Sequence, residues 1–258
     1  RGDGFLHDGA VRSALHVKLA RAEAENEAEE ALHKYDSHSR LIVPLVKTSH
    51  LRVEQALALL APTPDDVLVD LGCGDGRLVL YAAERTGAMS YGMDVSPSLV
   101  RCCRRAAAAA GIGESRARFL TADLTIFFER DQRVPTDQRG TFCAPTSTAG
   151  ADPHAPPVVF DVAEARDVLQ RATAIYVYLA GALLVGLTPA LLRALARGAR
   201  VLTLEHHLPS PDDAKAIAAL PPDCRALAHL LTPAPDRSLA LTHGLTSHWR
   251  LYHGVRTP

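Results

Sequence analysis

From Val67 onward, short apolar runs alternate with amphipathic ones. VLVDL (67–71), MSYGMD (89–94) and ARFLTAD (117–123) predict buried strands. GRLVLYAAERT (76–86) and PSLVRCCRRAAAAAG (97–111) predict the helices between them, the second with Ser96 as N-cap and Gly111 past its end. The order βαβαβ predicts a parallel sheet with helices on both faces. The alternation resumes with a helix at 161–171, strand AIYVYLA (174–180), a helix at 188–198 and strand RVLTLE (200–205). That second helix has Pro189 in its first turn and Gly198 at its end. The tail predicts a helix at about 211–219 and two more strands, CRALAHLL (224–231) and LTSHWRLYHG (245–254). The expected fold is therefore α/β: a doubly wound, mostly parallel, seven-stranded sheet.

Two stretches break this rhythm. Residues 10–35 read as a helix, because alanine, leucine and glutamate favour it. Its middle, 23-EAENEAEE-30, is acidic and nearly without large apolar groups, which suits a solvated helix or a partner-binding arm. Residues 1–40 are thus expected to form a helical arm on a domain spanning 41–258. Residues 129–160 are rich in Pro, Thr, Gly and charge and have no periodicity, so an insertion that loops out and moves is expected there. Between arm and first strand, 42-IVPLVKTSHLRVEQALALLAPTPDD-66 predicts an extended piece at Pro44, a helix from His50 to Leu60 and a Pro-rich turn.

Composition narrows the classes. The 258 residues are 47% hydrophobic, enough for one large domain, and the formal net charge is −1. No basic surface of the kind nucleic-acid binders carry is present in bulk. The five cysteines (73, 102, 103, 143, 224) include no CxxC pair, which favours a reducing compartment. No apolar run approaches the roughly 20 residues of a membrane helix. The first residue is Arg1 rather than methionine, so a natural N-terminus with any targeting peptide is expected upstream.

The candidate chemistry sits at 71-LGCGDG-76. Glycines at 72, 74 and 76 let the backbone turn sharply and approach a ligand closely, next to the unpaired N–H groups that open a helix. A nucleotide P-loop requires GK[ST], which is absent. A dinucleotide loop requires a third glycine at position 77, which is Arg77. Asp70 and Asp75 would repel a pyrophosphate, whereas S-adenosylmethionine (SAM) has no phosphate and brings an ammonium and a sulfonium. Asp94 ends the second strand 20 positions past Gly74, where a carboxylate can take both ribose hydroxyls. NAD stays open as the second ligand, since it also uses such an acid. Each aspartate alone also reads as a strand-end cap.

VDLGCGDG, YGMDVSP and TADL together resemble the motifs of class I SAM-dependent methyltransferases. The resemblance implies cofactor contacts from Asp70, Gly72, Cys73, Gly74, Gly76, Asp94 and Val95, with Asp123 at the adenine amino group and Leu124 packing beside it. Over residues 42–206 the chain further resembles the mitochondrial protein-lysine methyltransferases that act on the ATP synthase c subunit and on the ADP/ATP translocase. This implies a lysine acceptor and a mitochondrial location; without it a cytoplasmic one is expected. The chain departs from that family in three places. Lys47-Thr48 stands for Pro-Thr, Thr173 for the acid that opens strand four, and Ala180-Gly181 for Pro-Glu. These departures keep two other expectations open. One is a methyltransferase-like assembly factor in a large complex such as a mitochondrial ribosome precursor. The other is an rRNA methyltransferase, whose basic surface would come from Arg101, Arg104, Arg105, Arg116 and Arg118.

On the acceptor side, Tyr176 and Tyr178 alternate with Ile175, Val177 and Leu179 and so share one face of strand four. Tyr178 is the candidate lining of an acceptor channel, and both tyrosines read equally as core aromatics. Glu205 closes strand five at the same edge. His206 and His207 are adjacent, point to opposite faces and have no third partner, so no metal is expected. The cysteines read as packing residues and lie near no Pro-Cys pair, which a cytosine-C5 enzyme requires. Trp249 reads as a packing residue of the last hairpin.

Overall fold

A computed structural model of the chain describes residues 48–129, 160–234 and 248–254. The expected helix at 10–35, the piece around Pro44 and nearly all of the 129–160 insertion lie outside these residues.

The first helix, α1 (His50–Leu60), starts at Ser49, whose side chain accepts the Arg52 N–H at 3.4 Å. The strands β1 (Val67–Leu71), β2 (Met89–Asp94) and β3 (Ala117–Thr121) alternate with α2 (Arg77–Arg85) and α3 (Pro97–Ala110). Then come α4 (Val162–Arg171), β4 (Ala174–Val177), α5 (Gly181–Ala196) and β5 (Arg200–Leu204). Two short helices, α6 (Ala214–Ala218) and α7 (Pro222–Arg225), and a 3-10 turn at Ala228–Leu231 lead to β6 (Trp249–His253).

The strands form one sheet in the order β3-β2-β1-β4-β5-β6, parallel except for β6, which pairs with β5 antiparallel. One face carries α1, α2 and α3 over Leu68, Tyr176, Leu202 and Leu204; the other carries α4 and α5 over Val69, Ile175, Val177 and Val201. Strand order reverses between β1 and β4, so the crevice of an open α/β sheet falls beyond their carboxyl ends.

Two elements differ from expectation. The described residues form six strands, not seven, because 224–231 is helical rather than extended. Its buried Cys224, Leu230 and Leu231 and partly buried Leu227 recur at three- to four-residue spacing and close over the α5 face of the sheet. The helix expected at 188–198 starts at Gly181, which puts Pro189 in its interior rather than its first turn. Burial of Leu183, Leu184, Leu187 and Leu191 holds that first half in place despite the helix-weakening Gly186 and Pro189. Gly186 is required there, since a Cβ would run into the ring of Phe128.

At the amino edge of the sheet, Asp66 ties three elements together. It accepts hydrogen bonds from Thr173 Oγ1 (2.6 Å), Arg200 Nη2 (2.9 Å) and Thr63 (2.8 Å from N–H, 2.9 Å from Oγ1). Thr173 in turn accepts the Val67 N–H at 3.0 Å. Its departure from the family's acid is thus a structural joint at the end of the sheet opposite the crevice.

Candidate functional site

The glycine loop is shaped by its own backbone. Gly72, Gly74 and Gly76 all have positive φ, at 85°, 54° and 74°. The N–H groups of Gly72 and Cys73 both donate to the Met93 carbonyl, at 2.8 and 3.0 Å, which lashes the loop to the end of β2. A Cβ on Gly72 would fall 2.6 Å from Leu179, the residue that follows the β4 tyrosines, so the loop and the end of β4 touch directly.

Asp94 completes this lashing. One carboxylate oxygen accepts the Gly74 N–H at 3.0 Å and the other accepts the Ser96 N–H at 2.9 Å. Val95 beside it is half-buried. Asp123 lies just past β3 and accepts from the Thr125 N–H (3.0 Å) and Oγ1 (2.8 Å), capping a 3-10 turn that begins with the buried Leu124. Both aspartates thus serve as caps at the ends of their strands.

Cys73 faces inward. Its thiol contacts Cys103, whose S–H donates to the Gly74 carbonyl at 3.2 Å. The hydrogen bond to Cys103 and burial push the Cys73 thiol well above its usual range. Both cysteines thus act as packing behind the loop. At position 77 the guanidinium of Arg77 chelates the Asp75 carboxylate and donates to the Thr48 carbonyl at 2.8 Å. It pins the segment before α1 to the loop and neutralises one of the two loop acids.

The other acid, Asp70, has no such partner. It is 4% exposed, and no hydrogen bond reaches its carboxylate among the described residues. Burial, with the charges of Asp75 and Asp94, pushes its pKa well up. A largely buried carboxylate beside a loop of three positive-φ glycines suits a compact cation with no phosphate. These residues fit SAM and fit a dinucleotide poorly.

Residues 68–136 match the family model of a methyltransferase domain. The match contains the glycine loop, Asp94, Asp123 and Leu124. Among curated proteins, the chain is 39% identical over 77 residues to the 23S rRNA uracil-C5 methyltransferase RlmD of Acidithiobacillus ferrooxidans, covering 30% of this chain and 17% of that protein. It is 42% identical over 76 residues to the mouse adenine nucleotide translocase lysine N-methyltransferase, covering 30% of this chain and 33% of that protein. The chain thus spans well under half the length of the curated relatives it matches. Among solved structures it is similar to an RNA methyltransferase from Salinibacter ruber in complex with S-adenosyl-L-homocysteine. The TM-score is 0.47 and the identity 23%, over 81% of this chain and 92% of that one. TrmN from Thermus thermophilus aligns with a TM-score of 0.46 and 18% identity, over 80% of this chain and 48% of that one.

Across the crevice, Tyr176 and Tyr178 lie on the α1 face as expected, although β4 ends at Val177 and Tyr178 stands just beyond it. Tyr176 pairs across the sheet with Asp70 and is 2% exposed. Burial and the Asp70 charge push its phenol well above the usual range. Thr48 lies nearby, but no described group meets the Tyr176 hydroxyl in hydrogen-bonding geometry. Glu205 follows β5 with a φ of 62°, left-handed backbone that a non-glycine residue adopts at a cost. Its carboxylate takes the Arg52 guanidinium at 3.3 Å.

Sequence reasoning missed Arg52, because a lone arginine on a helix carries no signal until the fold sets it against β5. His206 and His207 lie beyond β5, which ends at Leu204, and His207 Nδ1 is 3.2 Å from Thr203 Oγ1. Among the described residues no three ligands converge as a metal site, and no helix is long and apolar enough to cross a membrane.

Proposed function

We propose that this chain is a SAM-dependent methyltransferase whose acceptor is the amine of a protein lysine. The observation that carries the cofactor half is Asp70, a buried carboxylate with no donor, set beside a loop tied down by Asp94. When bound, SAM supplies a methyl group already activated on a sulfonium. The protein's task is then to align the acceptor, exclude water and keep the amine uncharged. Transfer moves the methyl carbon from sulfur to the amine nitrogen, leaving a thioether and an alkylammonium that afterwards sheds one proton. Tyr176 and Tyr178 wall the approach, and Glu205 is the carboxylate positioned to receive that proton.

Among the described residues, the state of the thiols favours a nitrogen acceptor over a pyrimidine carbon. Carbon methylation of that type uses a cysteine nucleophile, which must be exposed and ionisable. All four described cysteines are buried, and burial with the Asp223 charge raises Cys224 to about 11. A protein is favoured over RNA by the arginines that would have formed a basic face. Arg104 pairs with Asp161 at 3.6 Å and Arg118 pairs with Glu164 at 2.7 Å, so acids offset two of the five charges. The likeness to the mouse translocase lysine methyltransferase agrees with this reading, and a mitochondrial location is part of the proposal.

The likeness to RlmD supports rRNA as a second acceptor. A large-complex assembly role is the reading left if SAM binds without transfer. The test is calorimetric titration of SAM, followed by transfer of labelled methyl to lysine-bearing mitochondrial proteins and, separately, to rRNA. Label on protein lysine supports the proposal. Label on rRNA alone, or no SAM binding by folded protein, overturns it.

A further inference from the structure

Two arginines stand beside the crevice, and they are held differently. Arg77 chelates Asp75, and the two side chains are only 10% and 13% exposed. Arg52 meets Glu205 through one contact of 3.3 Å, with 27% and 30% of the side chains open to solvent. A guanidinium has five N–H donors and commonly grips a carboxylate with two of them. The first pair is therefore a buried clasp of the glycine loop. The second is an open pair that a ligand can reach.

The backbone sets the place of this open pair. β5 ends at Leu204, and the His206 N–H donates back to the Leu204 carbonyl at 2.7 Å. Glu205, with its φ of 62°, is therefore the centre of a γ-turn, which takes its side chain out of the line of β5. Beyond the turn, His206 lies against the start of α5, where a Cβ on Gly181 would come within 3.7 Å of its Nδ1. Two residues before Gly181, Leu179 fills the space beside Gly72 of the glycine loop. From the α1 side, the charge of Arg52 acts on Tyr176, which lies opposite Asp70 in the β1–β4 pair. The pair thus stands at the carboxyl end of β5, next to the tyrosine wall of the crevice.

Charge decides what an arginine does there. The acceptor proposed above arrives as an alkylammonium, and only its uncharged amine is a nucleophile. A lone Glu205 would hold that ammonium in its charged, unreactive form, because an opposite charge stabilises an ion. A cation already at the carboxylate cancels the attraction and favours the neutral amine. We propose that Arg52 discharges the acceptor: its guanidinium occupies the cation position at Glu205, so that the lysine binds as a neutral amine. On entry the ammonium gives one proton to solvent. The amine nitrogen then takes the methyl group from sulfur, and the methylammonium so formed gives a proton to the Glu205 carboxylate. Arg52 is a positioning residue, acting through its charge and through Glu205. The inference rests on the lysine reading of the function and adds to it the residue that sets the acceptor's protonation.

Proton release measures this directly. The full chain, saturated with S-adenosylhomocysteine, is titrated by calorimetry at neutral pH with N-acetyl-lysine N-methylamide, in two buffers of different ionisation enthalpy. The difference between the buffers gives the protons released per probe bound. Wild type should release about one, since the free amine is almost fully protonated at neutral pH. Arg52→Met should bind the probe about tenfold tighter, through removal of one repelling charge, and release almost none. Arg52→Lys, which keeps the charge, should match wild type in both. The other groups nearby are the same in all three forms: Asp70 and Tyr178 around Tyr176, and His206, His248 and Arg250 around His207 and Glu205. With labelled SAM, Arg52→Met should lower KM and also lower kcat about tenfold at neutral pH, with kcat recovering as pH rises.

Three results would overturn the proposal: wild type that binds the probe without releasing a proton, wild type that does not bind it, or Arg52→Met that binds it more weakly or releases as many protons. The wild-type proton count stands by itself, whatever the variants do to the fold, and melting temperatures show whether they keep it. Titration of S-adenosylhomocysteine alone separates these results from a failure of the cofactor reading. In that case the cofactor itself does not bind, whereas failure of the Arg52 proposal leaves its binding intact.

Discussion

Asp94 and Gly74, 20 positions apart in the chain, are joined by a 3.0 Å hydrogen bond from the glycine N–H to the carboxylate. The acid that resembles a ribose ligand is thus also the brace of the glycine loop, and one substitution tests both roles. Asp94→Ala leaves the Gly74 and Ser96 N–H groups without acceptors. The expected loss of stability is about 2 kcal/mol, read as a lower urea midpoint, with SAM binding lost in calorimetry. Asp94→Asn keeps one acceptor oxygen and should recover more stability than affinity.

Asp70 predicts the opposite trade. Burial and neighbouring acids raise its folded pKa above the unfolded value. It therefore contributes stability below the unfolded pKa and loses that contribution as pH rises through the folded one. Asp70→Asn should stabilise the cofactor-free protein at neutral pH, seen as a higher melting temperature. It should also weaken SAM, whose cation the carboxylate would meet. A variant that melts lower at neutral pH and binds SAM normally contradicts both halves.

At the far edge of the sheet, Asp66 sets the acid limit. Burial raises its pKa, but the hydrogen bonds from Thr173, Thr63 and Arg200 outweigh burial and hold it at about 2, below the ordinary 3.8. A depressed carboxylate contributes stability above its unfolded pKa and loses it as pH falls towards the folded one. The contribution is about 2 kcal/mol at neutral pH, and it fades between pH 3.8 and about 2. Urea midpoints of Asp66→Asn should sit below wild type at neutral pH and converge with it at the acid end.

Much of the fold was legible because its signals are local. The alternating runs locate β1, β2 and β3, Ser96 and Gly111 bracket α3, and the glycine loop with Asp94 outlines a cofactor crevice. The misreadings have tertiary causes. Gly181, Gly186 and Pro189 argue against a helix locally, yet the leucines between them bury on one face and Phe128 fits over Gly186. Residues 224–231 are apolar enough to suggest a strand, and only the spacing of Cys224, Leu227 and Leu231 marks them as helical. On the acceptor side, Arg52 and Glu205 lie 153 positions apart, so no pattern along the chain could join them.

Gly186 tests the first of those causes. An added methyl group meets the Phe128 ring inside the core, and overpacking of this kind costs about 1–3 kcal/mol. Gly186→Ala gains helix propensity of about 1 kcal/mol. The net expectation is destabilisation of up to 2 kcal/mol, as overpacking outweighs propensity. Gly186→Ala combined with Phe128→Leu should recover most of the loss, which a double-mutant cycle measures.

Glu205 carries the last test, because its backbone and its side chain make separate predictions. The left-handed conformation at φ 62° costs an L-residue about 1 kcal/mol relative to glycine. Alanine and glycine at this position both lose the Arg52 pair, which is partly exposed and contributes little. The Glu205→Gly variant should therefore be about 1 kcal/mol more stable than Glu205→Ala, read from urea midpoints. If the carboxylate receives the acceptor's proton, both variants should bind SAM normally and transfer methyl more slowly. Their rates should recover as pH rises and the amine loses its proton unaided. Equal stability of the two variants would remove the argument from strain. Unchanged transfer would confine Glu205 to its structural pairing with Arg52 and leave the acceptor side to the tyrosines.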